Sequence, residues 1–435
     1  MTPNLRYDVV ELCSRLIRFD TTNYGDGKSN GERDAADWVA LLLSEAGYVP
    51  TVLEAAAGRA STVVRIAGAD RSAPGLLVHG HLDVVPAEAA DWSFDPFGGE
   101  VRDGAVWGRG ALDMKAMDAT MLAVARSWSQ AGFVPPRDIV LAFVADEEDI
   151  GEFGAEFLVR QHADLFAGVT SAIGESGGYS VYLPDGSTLY PIATAERGTA
   201  RVKLTAHGPA GHGSRRNPAN AVAALARSVA RIADHTWPVH LTPTVTALID
   251  GLGAHLGAPV DPAELSPLGD AARLLENTLS NSVNPTMLSA GYKVNVVPSE
   301  AVAWLDGRVL PGAADDFFAT IESLVEPSVT VEMPTYTAPV STPPDTAEFA
   351  AMSAALRVHD PDALVLPFCT TGGTDAKAFS ELGLACYGFA PGRWAPGFAH
   401  WSYVHGVDEH VPIESLAFGA GVLDTYLRTD PRERR

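Results

Sequence analysis

Cysteine is scarce in this 435-residue chain, and its three cysteines, Cys13, Cys369 and Cys386, lie far apart. Their odd number and wide spacing provide neither a disulfide framework nor a CxxC metal site. The sequence also has no apolar run near the roughly 18 residues that a membrane span needs. Its first residues, MTPNLRYDVV, show no basic-then-apolar signal pattern. These absences favour a protein of the reducing cytoplasm.

Basic residues are in the minority, since 31 Lys and Arg face 54 Asp and Glu, a formal net charge of −23. Nucleic acid and anionic membranes are therefore unfavourable partners, whereas divalent metals are favourable ones. Internal repeats and low-complexity tracts are also absent. The hydrophobic content of 46% and charged content of 20% are ordinary for a globular protein. A chain of this length is too long for one compact hydrophobic core, so we expect two domains.

Buried strands and amphipathic helices alternate in the first part of the chain. Apolar runs at 76–78, 138–145 and 171–173 are typical of strands covered on both faces, and 114–131 carries apolar residues at helical spacing. We also expect helices at 4–19 and 30–46, the second with Asn30 as N-cap, and a hairpin turning at Asp103-Gly104. This alternation predicts an α/β fold, a mostly parallel sheet with helices on both faces.

The pattern changes after Glu196. Residues 200–206 alternate like a half-exposed antiparallel strand, 287–296 and 301–309 resemble further strands, and 220–233 and 313–325 resemble helices. These elements predict a small α+β sandwich inserted into the main domain, followed by a proline-rich return linker at about 334–344. The expected division is 1–197 for the first part of the catalytic domain, 198–333 for the insertion and 334–435 for the second part.

Acids and histidines follow the predicted strands or lie in adjoining loops, where open α/β sheets bind ligands. Each alone has an ordinary interpretation: the aspartate before the 114–131 helix could cap it, and the paired glutamates could be a solvated loop. The complete set of these acids and histidines, including one histidine near the C-terminus, is His81, Asp83, Asp113, Glu147, Glu148, Glu175 and His405.

Together these side chains predict a metal centre. Clustered carboxylates repel one another, and divalent cations relieve that repulsion. Histidine and carboxylate ligands without cysteine suit zinc, and also manganese or cobalt. Two histidines and three carboxylates exceed the needs of one catalytic zinc and suit two ions about 3.5–4 Å apart that share a carboxylate. Charge agrees, because three carboxylates and one hydroxide balance two divalent ions.

The motifs GHLDVVP, GRGALDMK, ADEEDIG, IGES, AGHGS and HGVDEHVP occur in that order. In this respect the chain resembles the co-catalytic zinc metallopeptidases that include aminoacylase-1, carboxypeptidase G, acetylornithine deacetylase and succinyl-diaminopimelate desuccinylase. The resemblance covers nearly the whole chain. It implies a zinc-exopeptidase-like catalytic domain and a ferredoxin-like inserted domain that serves as lid and dimerisation surface.

The resemblance also implies the metal ligands, with Asp113 bridging both ions. His400 and His410 compete with His405 for the C-terminal position, and the HxxxE spacing to Glu409 favours His405. The implied ligand set for two Zn²⁺, or Co²⁺ or Mn²⁺, is His81, Asp113, Glu148, Glu175 and His405.

Catalytic and substrate roles follow from the same resemblance. Glu147 is implied as the general base and Asp83 as the support of His81. Substrate contacts are implied for His212, which acts across a homodimer, for Arg308 and Gly373 at a substrate carboxylate, and for Asn281. The NSVNPT segment that contains Asn281 has serine where relatives have threonine.

The implied activity is hydrolysis of an amide bond in a small molecule with a free carboxylate, such as an N-acyl amino acid or the C-terminal residue of a short peptide. A glutamate at position 175 favours acylases and carboxypeptidases. A dipeptidase of the same family is the alternative, and a non-catalytic binding protein on this scaffold would be expected to lack Glu147.

Overall fold

The structure is a computed structural model that describes residues 3–433. Over this span the α-helices are α1 (Pro3–Ile17), α2 (Arg33–Glu45), α3 (Lys115–Ala131), α4 (Ala155–Gln161), α5 (Ala221–Ala233), α6 (Pro243–Leu256), α7 (Arg273–Glu276), α8 (Ala314–Leu324), α9 (Ala347–His359), α10 (Ala376–Ser380), α11 (His400–Tyr403) and α12 (Ile413–Leu427). The strands are β1 (Asn23–Gly25), β2 (Lys28–Ser29), β3 (Thr51–Ala56), β4 (Arg59–Ile66), β5 (Gly75–His81), β6 (Glu100–Arg102), β7 (Ala105–Trp107), β8 (Ile139–Val144), β9 (Val169–Gly174), β10 (Val181–Tyr182), β11 (Thr188–Glu196), β12 (Gly198–His207), β13 (Gly211–His212), β14 (Ser282–Ala290), β15 (Val296–Val297), β16 (Glu300–Val309), β17 (Val329–Thr337), β18 (Val340–Ser341), β19 (Leu364–Thr370), β20 (Ala385–Gly388) and β21 (His410–Pro412).

Ten strands of the described chain form the larger sheet, in the order β10-β11-β20-β9-β5-β8-β4-β3, with β18 and β19 also paired to β11. Its centre is parallel, because β5 runs parallel to β8 and β9, and β9 runs parallel to β20. Strands β3 and β4 add an antiparallel edge. The predicted α/β fold with a mostly parallel central sheet is confirmed.

Helices cover both faces of this sheet, and β5 shows why its sequence is apolar throughout. Leu76 and Val78 pack into the core formed with α1, α2, α3, α9 and α12, whereas Leu77 packs into the core formed with α4 and α10. Alternate side chains of a strand point to opposite faces. A strand buried on both sides therefore reads as a continuous apolar run.

A second sheet of the described chain has four antiparallel strands in the order β14-β16-β12-β17, and α5 and α8 pack against it. Its residues fall within or next to the predicted insertion. The division at 198–333 stays a prediction. Helix α6, which lies within that range, packs against the larger sheet, with Leu248 and Leu252 in the same core as Phe368 of β19.

Three local expectations differ from the structure. The N-cap of α2 is Glu32, not Asn30, and the Glu32 carboxylate pairs with Arg59 in the interior. Strand β14 begins at Ser282 and ends at Ala290, because the chain turns at Gly291 with φ +70°. The proline-rich segment starts inside β17, where a register irregularity in its pairing with β12 accommodates Pro334.

The hairpin expected before α3 is present, with Asp103 and Gly104 in the left-handed region at φ 50° and 75°. Among the described residues, the helices are all too short or too polar to cross a membrane.

Candidate active site

Three neighbouring strands of the larger sheet end beside one another and deliver the candidate ligands. His81 is the last residue of β5, Glu147 and Glu148 follow β8, and Glu175 follows β9. Since β8 and β9 flank β5 in parallel, their carboxyl ends meet at the same edge. This edge is where open α/β sheets place ligands.

The His81 ring is buried and held in one orientation. Its Nδ1 donates to the backbone carbonyl of Asp83 at 3.0 Å, and its Nε2 lies 3.0 Å from Asp113 Oδ1. A hydrogen bond from one ring nitrogen fixes the tautomer and leaves the other as the potential ligand atom. His81 therefore presents Nε2 to the cluster.

The Asp83 carboxylate does more for the paired glutamates than for His81. It accepts hydrogen bonds from the backbone N–H groups of Glu147 and Glu148, both at 3.1 Å, and from Asn23 Nδ2 at 3.0 Å. Its Oδ1 lies 3.6 Å from His81 Nδ1. Asp83 thus supports His81 mainly through its carbonyl, while its side chain fixes the loop that carries the paired glutamates.

Asp113 lies between two groups of candidate ligands. Its Oδ1 faces His81, and its Oδ2 lies 3.1 Å from His405 Nε2. His405 Nε2 is also 3.2 Å from Glu148 Oε2. Within the described residues, the groups whose ligand atoms lie within 4.8 Å of one another are His81, Asp113, Glu175 and Asp113, Glu148, His405.

The donor set fits two divalent cations. Burial, and then the neighbouring Asp113, raises the pKa of the Glu175 carboxyl well above its usual range. Glu148 Oε1 is buried without a hydrogen-bond partner in the described chain. Hydrogen bonds to Asp113 and Glu148 raise the pKa of His405 to about 10. Carboxylates that are buried together repel one another, and the positive charge of a metal ion offsets this repulsion.

Glu147 lies at the edge of the cluster and is not in either ligand group. Its Oε2 is 4.0 Å from His81 Nε2, and 14% of its side chain is exposed. Burial, and then the charge of Glu175, raises its pKa well above the usual glutamate value. A carboxylate in this position can reach a small molecule at the cluster and exchange protons with it.

The alternative C-terminal histidines lie elsewhere. His410 stacks on Trp107 with ring centroids 3.9 Å apart, and its Nδ1 donates to the Asp408 carbonyl. His400 packs among aromatic rings. In the described chain, His405 is the one of the three that joins a ligand group.

Glu409 is a buried residue whose role the sequence did not reveal. Its carboxylate accepts hydrogen bonds from the backbone N–H groups of Gly110, Leu112 and Asp113, at 3.0, 2.6 and 3.2 Å, and from Arg109 Nη1 at 2.7 Å. Glu409 therefore positions the loop that carries Asp113. Its interaction with that loop could not be read from local spacing.

We expect Glu409→Gln to destabilise the metal-free protein by about 3–5 kcal/mol, because it leaves Arg109 as a buried charge without its partner. Metal affinity should fall about 10–100-fold, since the loop of Asp113 loses its support. Urea unfolding and metal titration measure these effects. The matched control is Glu11→Gln, at an exposed glutamate of α1, which should change stability by less than about 0.5 kcal/mol. A Glu409→Gln protein as stable as the wild type would contradict this positioning role.

A second buried network holds the start of the loop that carries Glu147. Arg59 makes two-pronged contact with Glu32 and donates to Asp146 Oδ1 at 2.7 Å. Asn23 Nδ2 donates to both Asp83 and Asp146. These bonds fix the loop from its first residue, Asp146, which has φ 68°.

The expected substrate residues occupy different surroundings. His212 is exposed on β13, and its Nδ1 bonds Ser214 Oγ at 2.8 Å. In the described residues no hydrogen bond or ion pair joins His212 to the candidate metal ligands. Asn281 is buried and uses its amide within the protein, accepting from Leu310 N and donating to the Ala313 carbonyl.

Arg308 and Gly373 lie near a lysine that the sequence analysis did not single out. Arg308 Nη1 and Lys377 Nζ both lie 3.4 Å from Thr199 Oγ1. The end of the Lys377 side chain covers Gly373 so closely that a Cβ at this position would clash with it. Glu196 accepts from the N–H and hydroxyl of Thr374 and so holds this loop.

The chain matches the family described as "Peptidase family M20/M25/M40" over residues 77–429. It is 28% identical over 378 residues to the human N-fatty-acyl-amino acid synthase/hydrolase PM20D1, covering 82% of this chain and 74% of the relative. It is 28% identical over 360 residues to aminoacylase-1 of Sus scrofa, covering 80% and 79% of the two chains.

Solved structures with the same fold include the M20 family metallo-carboxypeptidase Sso-CP2 from Sulfolobus solfataricus, with a TM-score of 0.71, 17% identity, and 99% and 100% coverage. Another is the Bacillus subtilis YXEP protein, described as a dinuclear metal binding peptidase from the M20 family, with a TM-score of 0.63, 13% identity and 98% coverage of each chain. The match of the family over most of the sequence identifies the chain as a hydrolase of amide bonds, and it belongs to peptidase family M20/M25/M40.

Proposed function

We propose that the chain is a two-zinc amidohydrolase that cleaves N-acyl amino acids, with a free carboxylate on the amino-acid part. The observation that carries the proposal is the position of Asp113, whose two oxygens face His81 and His405 on opposite sides. A carboxylate used in this way suits a shared ligand of two ions. His81 and Glu175 would hold one zinc and Glu148 and His405 the other.

When bound, the two ions would lower the pKa of a bound water and polarise the substrate carbonyl. Glu147 accepts the proton of the attacking water and donates it to the leaving nitrogen as the C–N bond breaks. Asp83 keeps Glu147 in place through the loop N–H bonds. The products are a carboxylic acid and an amine, so one water is consumed.

The substrate carboxylate would bind near Arg308 and Lys377. The two cations share Thr199, and both Asp306 oxygens accept from Arg308. Burial lowers the pKa of Lys377, while the nearby Glu196 and Glu147 carboxylates oppose that shift. Lys377, which is near both Glu147 and Arg308, would attract a substrate anion and orient its amide toward the cluster.

The names of several curated relatives support acyl amino acids, whereas another is a probable carboxypeptidase S-like protein and points to peptides. One relative is an N-fatty-acyl-amino acid synthase/hydrolase and another is an aminoacylase. Dipeptides remain the alternative substrates that the experiment separates.

The test is a substrate panel on zinc-reconstituted protein, in which N-acyl amino acids and dipeptides are each offered with a free or an amidated carboxylate. We expect N-acyl amino acids to have the higher kcat/KM, and amidation to lower it by about 10–100-fold, because the cations lose a charged partner. Higher kcat/KM for dipeptides would make the protein a dipeptidase. Equal turnover of the amidated substrates would overturn the assigned carboxylate site.

We further propose that residues 198–333 form an inserted domain through which two chains dimerise, and that His212 of one chain serves the metal centre of the other. The support is the exposed position of His212, which has no contact with the metal ligands of its own chain among the described residues. A two-fold dimer is the commonest oligomer.

A further inference from the structure

A cavity of about 330 Å³ adjoins the metal cluster, and Asp113 and Glu175 form part of its wall. This volume falls at the lower end of the range of about 300–1,000 Å³ for small-molecule pockets. At about 30 Å³ for each water-sized group, it has room for roughly ten non-hydrogen atoms. The proposed hydrolysis would use the end of this space at Asp113 and Glu175, and it leaves the rest of the cavity without a role.

Part of the cavity wall is apolar and draws on separate parts of the chain. Met114 and Met117 precede and begin α3, Phe368 lies on β19 and Val411 lies on β21. Each of these side chains is at most 5% exposed. Methionine side chains adapt to ligands of varied shape. These side chains offer no partner to a charge, so we expect the carboxylate end of a substrate to lie outside the apolar part of the cavity.

Aromatic rings form another wall. The His400 ring centroid lies 4.9 Å from that of Tyr179, 5.4 Å from Trp394 and 4.3 Å from Trp401. Burial lowers the pKa of His400 to about 4, so this ring is neutral near neutral pH. The wall therefore offers uncharged ring surfaces to an apolar group.

Charge occurs at the rim. Arg273 and Glu276 are exposed, and they line the cavity with opposite charges. Arg308 and Lys377, by contrast, contact Thr199, which is not part of the cavity wall among the described residues. The site therefore separates an apolar compartment from a cationic one, with the metal ligands contributing to the first and Glu147 near the second.

We propose that this cavity binds the acyl group of the substrate, and that the preferred group is an unbranched apolar chain of about six to ten carbons. The inference rests on the proposed hydrolysis of N-acyl amino acids. To that function it adds the class of acyl group that the enzyme prefers. The residues that would select this group are Met114, Met117 and those of the aromatic wall.

The first measurement is kcat/KM for N-acyl derivatives of one amino acid, with acyl chains from acetyl to palmitoyl. Each CH₂ buried in the cavity should raise kcat/KM by about fourfold until the cavity is full, after which the value should level off or fall. A parallel measurement by calorimetry follows the binding of free alkanoates, from acetate to decanoate, to the zinc-loaded protein. Affinity should rise with chain length in the same way.

Two variants change the cavity in opposite directions. Ala116 lines the cavity and is partly exposed, so Ala116→Phe should fill it and lower the ratio of octanoyl to acetyl kcat/KM by at least tenfold. Met117→Ala should enlarge the cavity and move the preferred chain length upward. Ala131→Leu, at an exposed position at the end of the same helix, is the matched control and should leave the ratio unchanged.

The outcomes separate this inference from the function on which it rests. Hydrolysis of acetyl derivatives with no gain on lengthening the chain overturns the acyl cavity and keeps the amidohydrolase. Length-dependent alkanoate binding that is lost in Ala116→Phe, without hydrolysis of any N-acyl amino acid, keeps the cavity and overturns the proposed function. A rate that follows the amino-acid side chain and not the acyl chain would show that the cavity was assigned to the wrong part of the substrate.

Discussion

Glu147→Gln should retain its metals and lose turnover by about 10²–10⁴-fold, the usual effect of removing a proton shuttle. Gln keeps the size and shape of the side chain but cannot accept a proton. Glu147 belongs to neither ligand group, so metal binding should persist. The measurements are kcat with an accepted N-acyl amino acid and elemental analysis of the same preparation.

Glu152→Gln is the control for this variant, since Glu152 is an exposed acid in the same loop. Its turnover should equal that of the wild type. If Glu147→Gln keeps wild-type turnover, another group moves the proton and the proposed mechanism is wrong. A loss of metal together with activity would instead make Glu147 a ligand.

The inactive Glu147→Gln chain also tests the proposed role of His212. Mixed with His212→Ala under conditions that exchange subunits, it should restore activity, because one site of a mixed dimer then has both groups. Mixed dimers that stay inactive would place His212 within its own site or outside the reaction.

Asp113→Asn should reduce the bound zinc from about two equivalents per chain to one or fewer and abolish measurable turnover. The amide offers a single oxygen ligand, and its NH₂ group cannot coordinate a metal. Residue 113 can therefore no longer be a ligand of both zinc ions. Elemental analysis after reconstitution and dialysis measures the stoichiometry.

Asp103→Asn is a matched control for this change. Asp103 is exposed in the hairpin turn with φ 50°, a conformation that asparagine also tolerates. Its zinc content and kcat should match those of the wild type. A wild type that saturates at one equivalent would refute the two-metal centre, and an Asp113→Asn protein that still holds two would refute the bridging role.

The parts of the fold that local pattern determines were predictable from the sequence. The apolar run of β5 and the helical stripe of α3 each reflect burial of neighbouring residues, so their periodicity is visible over a short window. The ends of parallel strands meet at one edge, and for that reason the proximity of His81, Glu148 and Glu175 could be expected before the structure.

Long-range contacts were not predictable in the same way. The bond between Asp113 N and Glu409 joins residues 296 positions apart, and no periodicity reports such a pair. Asp83 was expected to support His81 either directly or through the backbone, and the bonds of its carboxylate to the N–H groups of Glu147 and Glu148 could not be read from the side-chain pattern. Asn30 was expected as the N-cap of α2, but Glu32 occupies this position although its side chain makes no capping bond. The Glu32 carboxylate pairs with Arg59 in the interior, a contact that the capping preference of single residues does not predict.

The bond between Glu409 and the Asp113 loop also constrains the order in which a growing chain can become active. During synthesis, the loop at 109–113 leaves the ribosome long before Glu409 and His405 exist. Until they are made, Arg109 lacks its ion pair with Glu409 and Asp113 lacks its contact with His405. Contacts of such wide separation form late. A polypeptide cut short before residue 405 would therefore contain four of the five proposed metal ligands and still lack the group formed by Asp113, Glu148 and His405.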